Sequence, residues 1–252
     1  MTSDAASPPT QPPPLPPGAA WATGDADGIR ASGTPDGGTP APAAAGLGGA
    51  LALWPVLGTL VEEGALRLHT PLDAYGLPGR ATAHQLLTSG RGPAGPAGGP
   101  PGSGPDHVPD RDGTLTRLAE EVTGTPLAEL AATRVWQPLG MAGTTHGPEP
   151  RTTVEDAAAF LRHLLAPGQG PLTAAWIADS LRIRTGELFP ARGLMWRPVP
   201  GSHPRQDLWV HHAVLGPSAL WVSPRHGRWG VLLAPPTAPS ALRDHVRDLV
   251  PA

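Results

Sequence analysis

The sequence predicts an α+β fold in which both chain ends build one antiparallel sheet around a helical insertion. Three observations carry this. Residues 18–33 read as two short strands around a Gly-Asp turn cluster, the alternation of a hairpin. Residues 193–198, 207–214, 218–223 and 228–234 alternate or run apolar at strand length, with Pro224-Arg225-His226-Gly227 as a turn. Between these blocks the apolar residues recur at helical spacing, so the two β-rich ends are expected to share a sheet.

The bulk composition bounds the function. At 252 residues and 39% hydrophobic content the chain can bury one sizeable core, which predicts a single domain over 17–252. Residues 1–16 are Pro-rich and read as a disordered or polyproline-like tail. A net charge of −3 with both signs scattered gives no electrostatic case for nucleic acid or an anionic membrane. The absence of cysteine removes disulfides, thiolate metal sites and Cys nucleophiles together. Lysine and asparagine are also absent, and Tyr75 is the one tyrosine. The N-terminus has neither early positive charge nor an apolar core, so a cytoplasmic location is expected.

The central stretch runs from Gly46 to Pro78. Leu51, Trp54, Leu57 and Val61 fall at helical intervals, widened by Leu53 and Leu60, and Gly64 is placed to stop the helix in the left-handed conformation. Residues 43–61 are uncharged at a length that raises a membrane span, but four glycines and Pro55 argue against one. Thr34 to Ala45 reads as a loop. A helix and turn are expected over 81–90, a Gly/Pro loop over 91–113, and a helix over 115–124 that ends at Gly124. Thr153 to Leu165 carries Glu155 and Asp156 in its first turn and Arg162 and His163 in its last, as a helix dipole favours. Further helices are expected over 176–183 and 239–250.

Several of these segments resemble one family. Leu60-Val61-Glu62-Glu63-Gly64 with the Leu77-Pro78 turn, the 81–90 helix and turn, Val122-Thr123-Gly124, Pro138-Leu139-Gly140-Met141 and Gly193-Leu194-Met195-Trp196 are similar to landmarks of the serine β-lactamases, penicillin-binding proteins and their esterase relatives. Pro138-Leu139-Gly140-Met141 is the most specific match, and the likeness spans about residues 17–250. It implies the β-lactamase/transpeptidase-like fold, shortened near 91–113 and 146–153. That family's reaction uses a serine at a helix N-terminus, activated by a lysine one turn along. A Tyr-x-Asn element and a Lys/His-Thr-Gly strand complete its cleft.

Carried over by counting, the nucleophile position falls on Leu47 and the base position on Ala50. No shift of register supplies the base, since the chain holds no lysine. The Tyr-x-Asn element maps to His107 and Pro109. The third box maps to His212-Ala213-Val214 or, offset by one, His211-His212-Ala213, and its histidine alone survives. In an alternating strand His211 and His212 point to opposite faces, so one of them can reach the cleft. His212 and His107 are therefore the candidate catalytic residues. Adjacent strand histidines share a metal ion poorly, and no other motif implies a cofactor, so neither is expected.

The leading expectation is a catalytically inactive relative that serves as a binding or accessory module for a small molecule or protein. The alternative is a repurposed enzyme, hydrolase- or cyclase-type, doing non-covalent acid–base chemistry with its cleft histidines. A displaced serine nucleophile, Ser89 or Ser103, ranks last, because Ser89 sits where turn chemistry places a serine.

Overall fold

The computed structural model describes residues 14–35, 43–44, 46–89, 110–145, 151–186, 190–199, 207–213 and 216–250. The N-terminal hairpin consists of β1 (Ala20–Asp25) and β2 (Ile29–Gly33). Asp25 closes its turn by accepting from the Asp27 and Gly28 amides and pairing with Arg30 and Arg228. Four further strands follow the helical block: β5 (Arg197–Pro198), β6 (Trp209–His212), β7 (Ala219–Ser223) and β8 (Arg228–Leu233). Among the described residues they form one six-stranded antiparallel sheet in the order β2-β1-β8-β7-β6-β5. The hairpin from one end of the chain thus pairs with the last strand from the other.

Alternation sorts the sheet into two faces. Trp209, Ala213, Leu220, Val222, Val231 and Leu233 join the large core shared with the helical block. Leu208, Ala219, Trp221, Leu232 and Val199 join a smaller cluster with Val250 and with Leu242 and Val246 of α7 (Ala241–Leu249). The helix α5 (Val154–Leu165) lies across β1, β7 and β8 on the first face. Its Thr153 caps the start by accepting from the Asp156 amide at 3.1 Å.

At the centre of the large core a π-helical turn, Gly49–Leu53, leads into α1 (Trp54–Glu62). Pro55 explains that local geometry. In an α-helix the Leu51 carbonyl would accept from the amide of residue 55, and proline has none. The Trp136 indole instead donates to the Leu51 carbonyl at 2.7 Å. The helix ends where expected, with Gly64 at φ 75°.

Trp54 is fully buried and packs edge-on to Phe160 and Trp196, with Trp176 tilted beside it, at ring-centroid distances of 6.1, 5.8 and 5.9 Å. Its indole N–H donates to Ser180 Oγ at 3.0 Å, which satisfies a polar atom the core would otherwise strand. Trp176 and Ser180 belong to α6 (Ala174–Ser180).

The remaining α-helices among the described residues are α2 (Ala83–Thr88), α3 (Arg111–Thr123) and α4 (Leu127–Ala131), the last running on into a π-helical turn, Ala132–Trp136. Three boundaries differ from expectation. The third helix starts at Arg111 inside the predicted 91–113 loop, because Asp110 accepts from the Gly113 amide and caps it. A two-residue pair, β3 (Ala43–Ala44) with β4 (Arg151–Thr152), sits where loop was expected. The predicted 193–198 strand shrinks to Arg197–Pro198, since Met195 turns the chain at φ 64°. Among the described residues no helix is long and apolar enough to cross a membrane.

Candidate functional site

Leu47 and Ala50 begin the first turn of the central helical segment. The Leu47 carbonyl accepts from the amides of Ala50 and Leu51, both at 3.0 Å, so the two residues stand one turn apart on one side of the chain. Both are buried, at 1% and 0% exposure. Just before them, a Cβ at position 46 would stand 3.1 Å from the Cβ of Ala213. The start of the helical segment and the end of β6 therefore lie against each other, on the core face of the sheet.

The two histidines of β6 separate as strand geometry requires. His211 shares its face with Trp209 and Ala213 and is 4% exposed. Its ring meets Trp196 edge-on at 5.9 Å, and its Nδ1 lies 3.0 Å from the Met195 carbonyl. A carbonyl oxygen only accepts, so Nδ1 carries the proton. His212 lies on the α7 face, is half-buried, and donates from Nδ1 to the Ala213 carbonyl at 3.0 Å. Of the two, His211 therefore shares the core face with the helix start, while His212 lies on the other face. His107 and Pro109 lie outside the described residues, as does Ser103. Ser89 is the C-cap of α2, its Oγ donating to the Leu86 carbonyl at 2.8 Å.

Met195 joins these parts. It is the one described non-glycine residue with a positive φ, 64°, and it is buried. Its amide donates to the Leu87 carbonyl at 2.8 Å while its carbonyl accepts the hydrogen bond from His211 Nδ1. Such a conformation is strained by about 1–3 kcal/mol and persists where neighbours over-determine it. Nothing in the local sequence signals it, because the strain comes from contacts with residues far along the chain.

Other titratable groups gather away from this place. His69 and His84 stack with centroids 4.6 Å apart. Burial first, then His69 and Arg184, hold His84 below the usual histidine range. His163 near the end of α5 is also lowered by burial, and its Nε2 accepts from the Leu172 amide at 3.2 Å. Among the described residues no three His, Asp or Glu side chains come together as a metal site.

Comparison with solved structures reads the same architecture. A β-lactamase from Mycobacterium bovis superposes with a TM-score of 0.70 at 24% identity, covering 94% of this chain and 96% of that one. The fold is that of the serine β-lactamases and penicillin-binding proteins. A β-lactamase/D-alanine carboxypeptidase from Yersinia pestis shares this β-lactamase fold at TM-score 0.68 and 18% identity, covering 92% of each chain. A D-alanine carboxypeptidase from Burkholderia cenocepacia does so at 0.68 and 16%, covering 90% of this chain and 91% of that one. No family model and no curated protein matches the sequence. At these identities the likeness is one of fold.

Proposed function

We propose that this chain is a catalytically inactive β-lactamase-fold protein that acts as a binding or accessory module. The observation that supports it is the pairing of Leu47 and Ala50, buried one turn apart at the start of the central helical segment. By the counting above these are the places a nucleophile and its base would take. Neither side chain can attack or accept a proton, and a chain without lysine supplies no substitute side-chain amine from elsewhere. Fold alone does not confer the reaction.

The test is intact-protein mass spectrometry after incubation with penicillin and with a p-nitrophenyl ester. The expected result is an unshifted mass under both conditions. A stoichiometric adduct on any serine overturns the reading.

A further inference from the structure

Basic side chains gather around the β5 edge of the sheet, where Arg197 feels the charge of both Arg192 and Arg243. Arg197 pairs with Val210 across the β5–β6 ladder, and Val199 lies opposite Leu208 two residues on. Val199, Leu208 and Val210 all pack with the α7 cluster, so Arg197, in phase with Val199, projects on the α7 side. Arg243 reaches the same region from α7. Its Nε donates to the Pro217 carbonyl at 3.0 Å, and its Nη2 to the Gly216 carbonyl, which aims the guanidinium at the segment leading into β7. Arg192 lies on the chain just before β5, its amide held by Thr185 Oγ1 at 3.1 Å. All three are half-buried.

Among the described residues, Arg192 and Arg197 have no side-chain hydrogen bond and no carboxylate partner. Asp244, the carboxylate that acts on Arg243, is engaged by Arg247 at 2.7 Å. Desolvated cations are costly unless something pairs with them, and clustering like charges adds to the cost. Burial first, then Arg192 and Arg243, depress the Arg197 guanidinium from its usual value. By contrast, Arg30, Arg134, Arg184 and Arg225 each meet an Asp or Glu.

We propose that Arg192, Arg197 and Arg243 form an anion-binding site at the β5 edge, taking a ligand that presents a carboxylate or phosphate group. Planar guanidinium forks match both groups through paired charge-assisted hydrogen bonds. Arg197 and Arg243 lie on the opposite face of the sheet from Leu47 and His211, and Arg192 joins them from the sheet edge.

Isothermal titration calorimetry with inorganic phosphate and with succinate, at constant ionic strength, tests this. The expected result is saturable binding that Arg197→Gln and Arg192→Gln each weaken about tenfold or more. Arg225→Gln, which removes an exposed cation already paired with Asp207, should leave binding unchanged. A preference for phosphate assigns a phosphorylated ligand, and a preference for succinate assigns a carboxylate. If Arg197→Gln fails to fold, Arg192→Gln decides by the same criterion. No saturable heat with either probe, or equal binding by wild type and the arginine variants, overturns the proposal.

Discussion

The buried imidazole of His211 donates from Nδ1 to the carbonyl of Met195 across 3.0 Å, tying β6 to a residue held at φ 64°. That bond closes the chain segment which β5 extends, and it fixes one wall of the space around Trp196. A structural role for His211 is therefore legible in its contacts. His211→Phe keeps the bulk and removes the donor, leaving the Met195 carbonyl buried without it. The expected loss is about 1–3 kcal/mol. Urea denaturation should show a lower midpoint at unchanged slope; a midpoint equal to wild type means the bond contributes nothing.

Acid should weaken the fold in a defined window. His163 accepts from the Leu172 amide through a ring nitrogen that must stay unprotonated, and burial lowers its pKa. His84 is lowered too, chiefly by burial. A group depressed in the folded state binds its proton more readily when unfolded. Stability is then full above the ordinary histidine value of about 6.5 and falls as pH drops below it. His163→Gln offers a non-titrating acceptor and should flatten that part of the profile. Asp25, lowered chiefly by its hydrogen bond from Arg30, extends the loss below the usual carboxylate value of 3.8. Denaturation midpoints from about pH 8 down to about pH 2 (a span that takes in both the histidine and the carboxylate windows) check it, and a profile flat through the histidine window rules it out.

Gly58 is a glycine that packing demands. A Cβ there would lie 2.4 Å from Trp176 Nε1, a ring wedged beside Trp54. Glycine to alanine in a helix interior ordinarily gains about 1 kcal/mol. At this position the sign should reverse, because the indole has no room to yield in a close-packed core. Thermal melting of Gly58→Ala decides it: an unchanged or raised melting temperature would mean Trp176 repacks without loss.

The core helix gives a larger effect. Leu57 and Leu60 are fully buried, so Leu57→Ala or Leu60→Ala should cost about 2–5 kcal/mol through lost transfer energy and a residual cavity. In a marginally stable domain that is a large share of the total. The variants should melt far lower or fail to accumulate, and a near-native midpoint would place these leucines outside the core.

Much of the fold was legible because its signals are local. Alternation marked the strands, Gly64 and Gly124 marked helix ends, and the charges of Glu155, Asp156 and Arg162 marked both ends of α5. What stayed hidden depends on partners distant in sequence. The Asp110 cap was lost in a Gly/Pro run, and the two-residue β3–β4 pair is too short for periodicity. The turn at Met195 follows from Leu87 and His211, and the Arg197 cluster exists only once β5 pairs with β6 and α7 folds back. At the candidate site, alternation showed that His211 and His212 must part; which one lies on the core face needed the packing of Trp209 and Ala213.

The sharpest test rebuilds the missing pair. Leu47→Ser combined with Ala50→Lys restores the residue types that the resemblance assigns to these positions. Ala50 is 0% exposed, and its neighbours Leu51 and Leu53 are buried apolar side chains. A lysine there must bury an ammonium without a counter-charge or give up its proton, and either course is unfavourable. Leu47→Ser removes a fully buried side chain as well, adding a cavity. The double variant should therefore lose several kcal/mol, on the order of the two effects together. It should gain no p-nitrophenyl ester turnover, since a nucleophile and base still need a proton-transfer partner and oriented donors around the reacting carbonyl. Steady-state hydrolysis compared with wild type and with each single variant decides the matter. If the pair alone turns over ester at a saturable rate, the surrounding cleft is intact and the chain stands one step from an enzyme.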